Sequence, residues 1–218
     1  MFADREDAAI QLAEALKKYK DVHALVLGIP RGGAVTAYYV ATALHADFSL
    51  IISRKLGHPM NPEFAIGAIA EDGSVHVNPY AEAEVSPQQM DEMVAQQKKE
   101  IERRIKVLRK GEPLPSLRGR IVILVDDGIA TGATLRAAIK MCRNQSAAKI
   151  IVAAPVSGGD MEAKLMNLVD DVVILEKPDF FHAVSQAYES FYQVSDDEAV
   201  ALLEKWNQEN GAALHHML

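Results

Sequence analysis

The chain has 218 residues, 49% of them hydrophobic and 24% charged, with a formal net charge of −7 and a pI near 5.5. This is ordinary globular composition, with enough chain for one substantial core. The acidity and the lack of a long basic run make nucleic acid a poor partner, and no apolar run approaches membrane-spanning length.

The first residues, MFADREDAAI, lack the basic-then-apolar layout of a signal peptide. The one cysteine, Cys142, leaves no intrachain disulfide, and a cytoplasmic location is expected. Asp4 to Tyr19 reads as an amphipathic helix, with Ala9, Leu12, Ala13 and Leu16 on one face and acids early, lysines late. Val22 to Leu27 is a short strand that runs into GIPRGG, Gly28 to Gly33, and a helical pattern follows from Ala34 to Leu44. Clustered backbone N–H groups beside the Arg31 guanidinium suit a phosphate or pyrophosphate. Taken alone, such a turn is more often a plain turn than a site.

Phe48 to Ser53 is the next strand. It delivers Arg54 and Lys55 at its C-terminal end, either as cations for pyrophosphate oxygens or as a solvated strand end. GHPMNPEF, Gly57 to Phe64, has two prolines and an Asn-Pro turn signal and reads as a loop carrying His58 and Glu63. An ordinary exposed position is as good a reading of either residue. Ala65 to Ala70 and Ser74 to Asn78 flank Glu71-Asp72-Gly73 as a hairpin. Ser86-Pro87-Gln88-Gln89 then opens a long helical insertion, about residues 86–111, with Ser as N-cap, Pro in first position and Gln closing a capping box. Its stripe of Met90, Met93, Val94, Ile101, Ile105 and Leu108 is expected to pack on the core or on a second subunit.

Ile121 to Thr134, IVILVDDGIATGAT, organises the rest. Five branched apolar residues suit a strand buried on both faces. They stop at two adjacent carboxylates, Asp126 and Asp127, and a small-residue turn leads into a helix. The first N–H groups of a helix have no internal partner, and its dipole favours negative charge. Thr131 and Thr134 add hydroxyl donors, and Gly132 admits a ligand close to the backbone. The two acids repel a phosphate but suit hydroxyl groups or a hydrated metal. The loop therefore asks for a phosphate with a diol, and Mg²⁺, beside it. A ribose 5-phosphate meets both demands.

Four or five apolar residues, two acids, two variable residues and then Ala-Thr-Gly-Ala-Thr resemble the phosphoribosyl pyrophosphate (PRPP) signature of the type I phosphoribosyltransferases. The resemblance implies that Asp126 and Asp127 take the ribose hydroxyls, and through them a PRPP-borne Mg²⁺. It implies that Ala130, Thr131, Gly132, Ala133 and Thr134 hold the 5-phosphate, and that Pro30, Arg31, Gly32 and Gly33 hold the pyrophosphate. That last loop often contains a non-proline cis peptide in the family, expected here near Arg31 and Gly32. Arg54 and Lys55 correspond to a basic PRPP contact, and residues 57–64 to a loop that closes over substrate. Ala130 stands where hypoxanthine- and guanine-using relatives carry an aspartate for proton transfer, and adenine-using relatives carry alanine. The fold implied is α/β, a doubly wound, mainly parallel sheet with a small hood.

Lys149 to Val156 and Asp171 to Leu175 are further strands, with a helix from Met161 to Leu168 between them. Strands starting at 22, 48, 121, 149 and 171 give a doubly wound sheet whose order reverses between those ending at Gly28 and Asp126. The core spans about 22–175 of a single domain, 1–218, and 176–218 forms the hood and a last helix from Ser195 to Asn207. Lys177 with Phe180 or Phe181 resembles the base-stacking corner of purine-using relatives, although most aromatics there suit packing. His215-His216 has no spacing for a metal. The expected activity is Mg²⁺-dependent transfer of the phosphoribosyl group of PRPP to a nitrogen nucleophile, a nucleobase, by a homodimer. The alternatives are a non-catalytic PRPP-binding regulator and a phosphohydrolase using the same anion loops.

Overall fold

The buried apolar runs assemble into one parallel sheet with helices on both faces. The computed structural model describes residues 1–79 and 84–214, with the backbone alone at 62, 63 and 211–214. In chain order the elements are α1 (Arg5–Ala15), β1 (Leu25–Gly28), α2 (Gly32–Leu44), β2 (Asp47–Leu50), β3 (Ser53–His58), β4 (Asn61–Ala70) and β5 (Val75–Val77). Then come α3 (Pro87–Leu108), β6 (Ile121–Val125), α4 (Ala133–Asn144), β7 (Lys149–Val156), α5 (Met161–Met166), β8 (Asp171–Glu176) and α6 (Asp196–Leu214). Short 3-10 turns cover Lys17–Tyr19 and Val184–Ala187.

The main sheet runs β2-β1-β6-β7-β8, every pair parallel, and β3-β4-β5 form a separate antiparallel sheet. The chain leaves β1 for β2 on one side and returns to β6 on the other. Strand order therefore reverses between β1 and β6, where the doubly wound reading put it. Alternation along β6 explains why both faces are apolar. Ile123 and Val125 join a cluster with α1, α2 and α6, while Val122 and Leu124 join one with α4 and α5. Cys142 is fully buried in the second cluster, and burial pushes its thiol up to about 12, so it acts as a small core hydrophobe.

The strand expected from Val22 starts only at Leu25, and two further expectations about the strands change. The strand expected to run from Phe48 to Ser53 breaks at Ile51-Ile52. A buried ion pair sits at the break: Arg109 donates to Leu50 O (3.0 Å) and to Glu71 Oε1 (3.0 Å), which also accepts from Ile52 N (3.0 Å). Those partners take the backbone groups that a continuing strand would use, and the chain turns into the second sheet. The expected loop 57–64 is instead the far end of the β3–β4 hairpin. Gly57 pairs with Ala65 and His58 with Asn61, so 62–64 bulge out of register, where Pro62 has no N–H to donate. The 65–78 hairpin and the long helix agree with the sequence. Ser86 and Gln89 exchange both bonds of the capping box.

The first residues and the hood are laced together. Phe2 N donates to Ala187 O (2.7 Å), Glu189 N to Phe2 O (2.8 Å) and Ser190 N to Ala3 O (2.9 Å). α1 therefore starts against the wall formed by residues 187–192. α6 runs past Asn207 to Leu214, longer than expected, with Trp206 packed edge-on against Phe48. His215 and His216 lie outside the described residues.

Candidate active site

Gly28 and Val125 are partners in register, so the turns after β1 and β6 start side by side at the C-terminal edge of the sheet. Ile29 N donates to Val125 O (2.9 Å), and Ile129 N donates to Val156 O (2.9 Å), fixing both turns to the sheet. Asp126 and Asp127 follow β6 directly. The peptide bond Pro30–Arg31 is cis, in the expected turn.

Gly32 and Gly33 are not loop residues as expected but the first turn of α2. The reason is space. A Cβ on Gly32 would lie 1.8 Å from Asp127 Oδ2, and one on Gly33 would lie 2.9 Å from Asp126 Oδ1, Asp126 Cα and Val125 O. The glycine pair lets the N-terminus of α2 touch the acid pair. The other turn ends at Gly132, whose φ of 69° is left-handed and suits glycine. Gly132 is the N-cap of α4 and provides no side-chain cap, and no acid stands in the first turn. The leading N–H groups of α4 are thus left for a ligand, with Thr131 exposed and Thr134 half-buried beside them.

The acid pair is held from behind by residues the sequence did not single out. Arg5 Nε donates to Asp127 Oδ2 (2.8 Å), and Arg5 Nη1 donates to Tyr192 O (2.7 Å). Its guanidinium lies 3.9 Å from the centre of the Phe191 ring. Tyr188 Oη donates to Asp127 O (2.5 Å), and Asp127 N donates to Asp126 Oδ1 (2.9 Å). Burial, then the neighbouring Asp127, pushes the Asp126 carboxyl well above the usual range. Burial also raises Asp127, but Arg5 opposes the shift. Tyr188 is raised as well, by burial and then by Asp127. The one sequence signal for Arg5 was a cation at a helix N-terminus, against the dipole. Asp4, Glu6 and Asp7 beside it offered local partners and hid it.

The other candidates lie around this edge. Arg54 and Lys55 alternate on β3, so they diverge. Arg54 Nε donates to Gln97 Oε1 of α3 (3.2 Å), and burial lowers its guanidinium, with Arg104 adding to the effect. Lys55 is exposed and reaches a cavity of about 590 Å³ shared with Thr131, Ala133, Arg136, His76 and Lys164. Its described charged lining is basic. Burial, then Arg136 and Lys140, holds His76 below its ordinary value. Arg31 has a loose contact with Asp196 (3.9 Å). His58 accepts from Met60 N (3.1 Å) and meets Phe64 edge-on at the hairpin end; the Glu63 side chain lies outside the described set. In the hood, Lys177 pairs with Glu162 (2.5 Å), Phe181 packs with the Tyr188 cluster against Gly158, and Phe180 is 85% exposed. A larger cavity, about 910 Å³, lies by Val22, Asp47 and Arg120 at the N-terminal edge of the sheet. Ligands of such sheets bind at the opposite edge.

The family model for the phosphoribosyl transferase domain matches residues 1–190. The chain belongs to that family. Two Mycobacterium tuberculosis proteins, named "Putative phosphoribosyl transferase Rv0571c" (strain H37Rv) and "Putative phosphoribosyl transferase MT0597" (strain CDC 1551), are each 42% identical over 207 residues. Those matches cover 94% of this chain and 47% of the relatives, so the chain spans about half the length of the curated relatives it matches. The crystal structure of TT1426 from Thermus thermophilus is similar at 36% identity and a TM-score of 0.82, covering 94% of this chain and 98% of that one. Both aligned turns and the Arg5 helix fall inside the family match.

Proposed function

We propose that the chain transfers the 5-phosphoribosyl group of PRPP to a nitrogen nucleophile, a nucleobase, with Mg²⁺ and release of pyrophosphate. The observation that carries this reading is the meeting of two anion-suited helix N-termini with a carboxylate pair at the strand-order reversal. The N-terminus of α4 suits the 5-phosphate, and the acid pair suits the ribose hydroxyls. The cis turn with α2 suits the pyrophosphate. Lys55 and the basic cavity add charge that favours a ligand with several phosphates.

The reaction breaks the bond from the anomeric carbon to the pyrophosphate oxygen and forms a bond from that carbon to nitrogen. The nitrogen's proton leaves to solvent or to a base. The centre passes through an oxocarbenium-like state, so the protein needs positioning and charge control rather than a covalent nucleophile. Among the described residues no group of three or more His, Cys, Asp or Glu could hold a metal by itself. The donor set, two carboxylates, fits Mg²⁺ that arrives on PRPP and neutralises its phosphates. Phe180, exposed on the hood, offers a face for a flat acceptor. The same reading includes a cytoplasmic homodimer, whose mass light scattering would measure.

The test is a panel of bases and amines with PRPP and Mg²⁺, read by pyrophosphate release. Release that depends on one acceptor supports the reading. PRPP binding without release for any acceptor favours a regulator on the same fold. Phosphate released from sugar phosphates without an acceptor would mark a phosphohydrolase.

A further inference from the structure

We propose that Arg5 is a positioning residue of the PRPP site, which clamps Asp127 so that the acid pair meets the ribose in one fixed geometry. The inference rests on the activity proposed above and assigns a role to a residue outside every motif of the sequence.

Arg5 is 5% exposed, yet it is the first residue of α1, where a cation works against the helix dipole. Local structure does not call for it: Asp4 caps the helix by accepting from Asp7 N (2.9 Å). Its partners are all remote in sequence. They are the Asp127 carboxylate, the Tyr192 carbonyl and the Phe191 ring. A guanidinium taken from water needs such partners, and it fixes them in turn because its donors lie in a rigid plane.

Three parts of the site meet at Asp127 Oδ2. Arg5 Nε lies 2.8 Å from this oxygen. A Cβ on Gly32 would stand 1.8 Å from the same oxygen and 3.1 Å from Arg5 Nε. Arg5 thus presses the carboxylate against the start of α2. Asp127 Oδ2 is taken by the clamp and Asp126 Oδ1 by Asp127 N, so the pair meets a ligand through its remaining oxygens. The acids are therefore held unequally, Asp127 by the Arg5 guanidinium and Asp126 by a backbone N–H. The clamp is itself mounted on the hood, through Tyr192 and through the backbone bonds between residues 2–3 and 187–190.

The experiment measures steady-state kinetics and calorimetric PRPP binding for wild type, Arg5→Met, Arg5→Lys, Asp127→Asn and the Arg5→Met/Asp127→Asn double variant. Arg5→Met keeps the aliphatic bulk and removes the clamp. It should raise the KM and Kd for PRPP about tenfold or more, with kcat changed less than about threefold, because ground-state binding is what is lost. A residue that served only folding would lower the active fraction, hence apparent kcat, and leave KM alone. Arg5→Lys keeps the charge but cannot reach both oxygens, so its KM should be intermediate. Arg5→Met should add less than about twofold to Asp127→Asn, since both act on one contact. If Arg5→Met does not fold, Arg5→Lys decides: a raised KM supports the clamp and a wild-type KM overturns it. Wild-type KM and Kd in folded Arg5→Met, or full additivity with Asp127→Asn, would overturn the proposal alone. Wild-type protein that binds no PRPP would overturn the activity reading, and the clamp with it.

Discussion

Gly32→Ala adds one carbon at the point where α2 touches the acid pair. That carbon would stand 1.8 Å from Asp127 Oδ2 and 2.6 Å from Asp127 Cγ, whereas real Cβ atoms essentially never come within 3.0 Å of such neighbours. Something must move by 3.0 − 1.8 = 1.2 Å. The carboxylate cannot do so freely, because Arg5 holds Oδ2 at 2.8 Å. Overpacking of this kind costs about 1–3 kcal/mol. Gly32 is helical and its φ is not positive, so alanine returns about 0.5–1 kcal/mol of helix preference. The net loss of stability should be about 0–2.5 kcal/mol, and the variant should fold. PRPP affinity should fall much further, about a hundredfold, since a misplacement of about 1 Å in a positioned site has that scale. Gly159→Ala is the control: its Cβ meets nothing within 4 Å, so stability should hold or rise slightly and PRPP binding should not change. Urea denaturation and calorimetric titration of PRPP with Mg²⁺ measure both quantities. Wild-type PRPP affinity in folded Gly32→Ala would show that the α2 turn and the acids do not form one site.

Three further outcomes follow from the same geometry. The Asp126 carboxyl is raised by burial and by Asp127, so the native state holds its proton above the ordinary value of 3.8, and this acid destabilises the fold as pH rises through and beyond that value. Asp126→Asn should therefore gain stability relative to wild type as pH increases above about 4, by thermal melts without ligand; a difference independent of pH would contradict this. Glu71→Gln leaves Arg109, 4% exposed, without its counter-ion at the β2–β3 break and should cost about 3–5 kcal/mol in urea denaturation, against under about 1 kcal/mol if the pair is solvated. Hypoxanthine, guanine and xanthine should be poor acceptors beside adenine, because Ala130 has no proton to exchange and such help is worth about 10² to 10⁴ in rate. Glu63 and Asp179 are the other acids that could supply the proton, so efficient turnover of all three, unchanged when both are made amides, would remove that message from Ala130.

The parallel sheet was legible because its strands carry unbroken apolar runs, and β6 and β7 appear at the expected positions. The site's two turns were legible because glycine, acid and threonine types are confined there by space and charge. Arg5 and Tyr188 were not. Their roles depend on where a helix N-terminus and an irregular hood fall in three dimensions, and no periodicity encodes that contact. The break after Leu50 was hidden for a similar reason. Ile51 and Ile52 continue the apolar pattern, and the Arg109–Glu71 pair that ends the strand comes from residues distant in sequence. The hairpin at 57–64 was masked by prolines, which a bulged strand end tolerates as well as a loop does.

On the proposed function, the carboxylates after β6 and the turn after β1 bind one PRPP molecule. Calorimetric titration of PRPP with Mg²⁺ into wild type and into the Asp126→Asn/Asp127→Asn variant tests it most directly. Saturable binding to wild type is expected, and none to a double variant that still melts cooperatively. Equal PRPP affinity in the two proteins would contradict it.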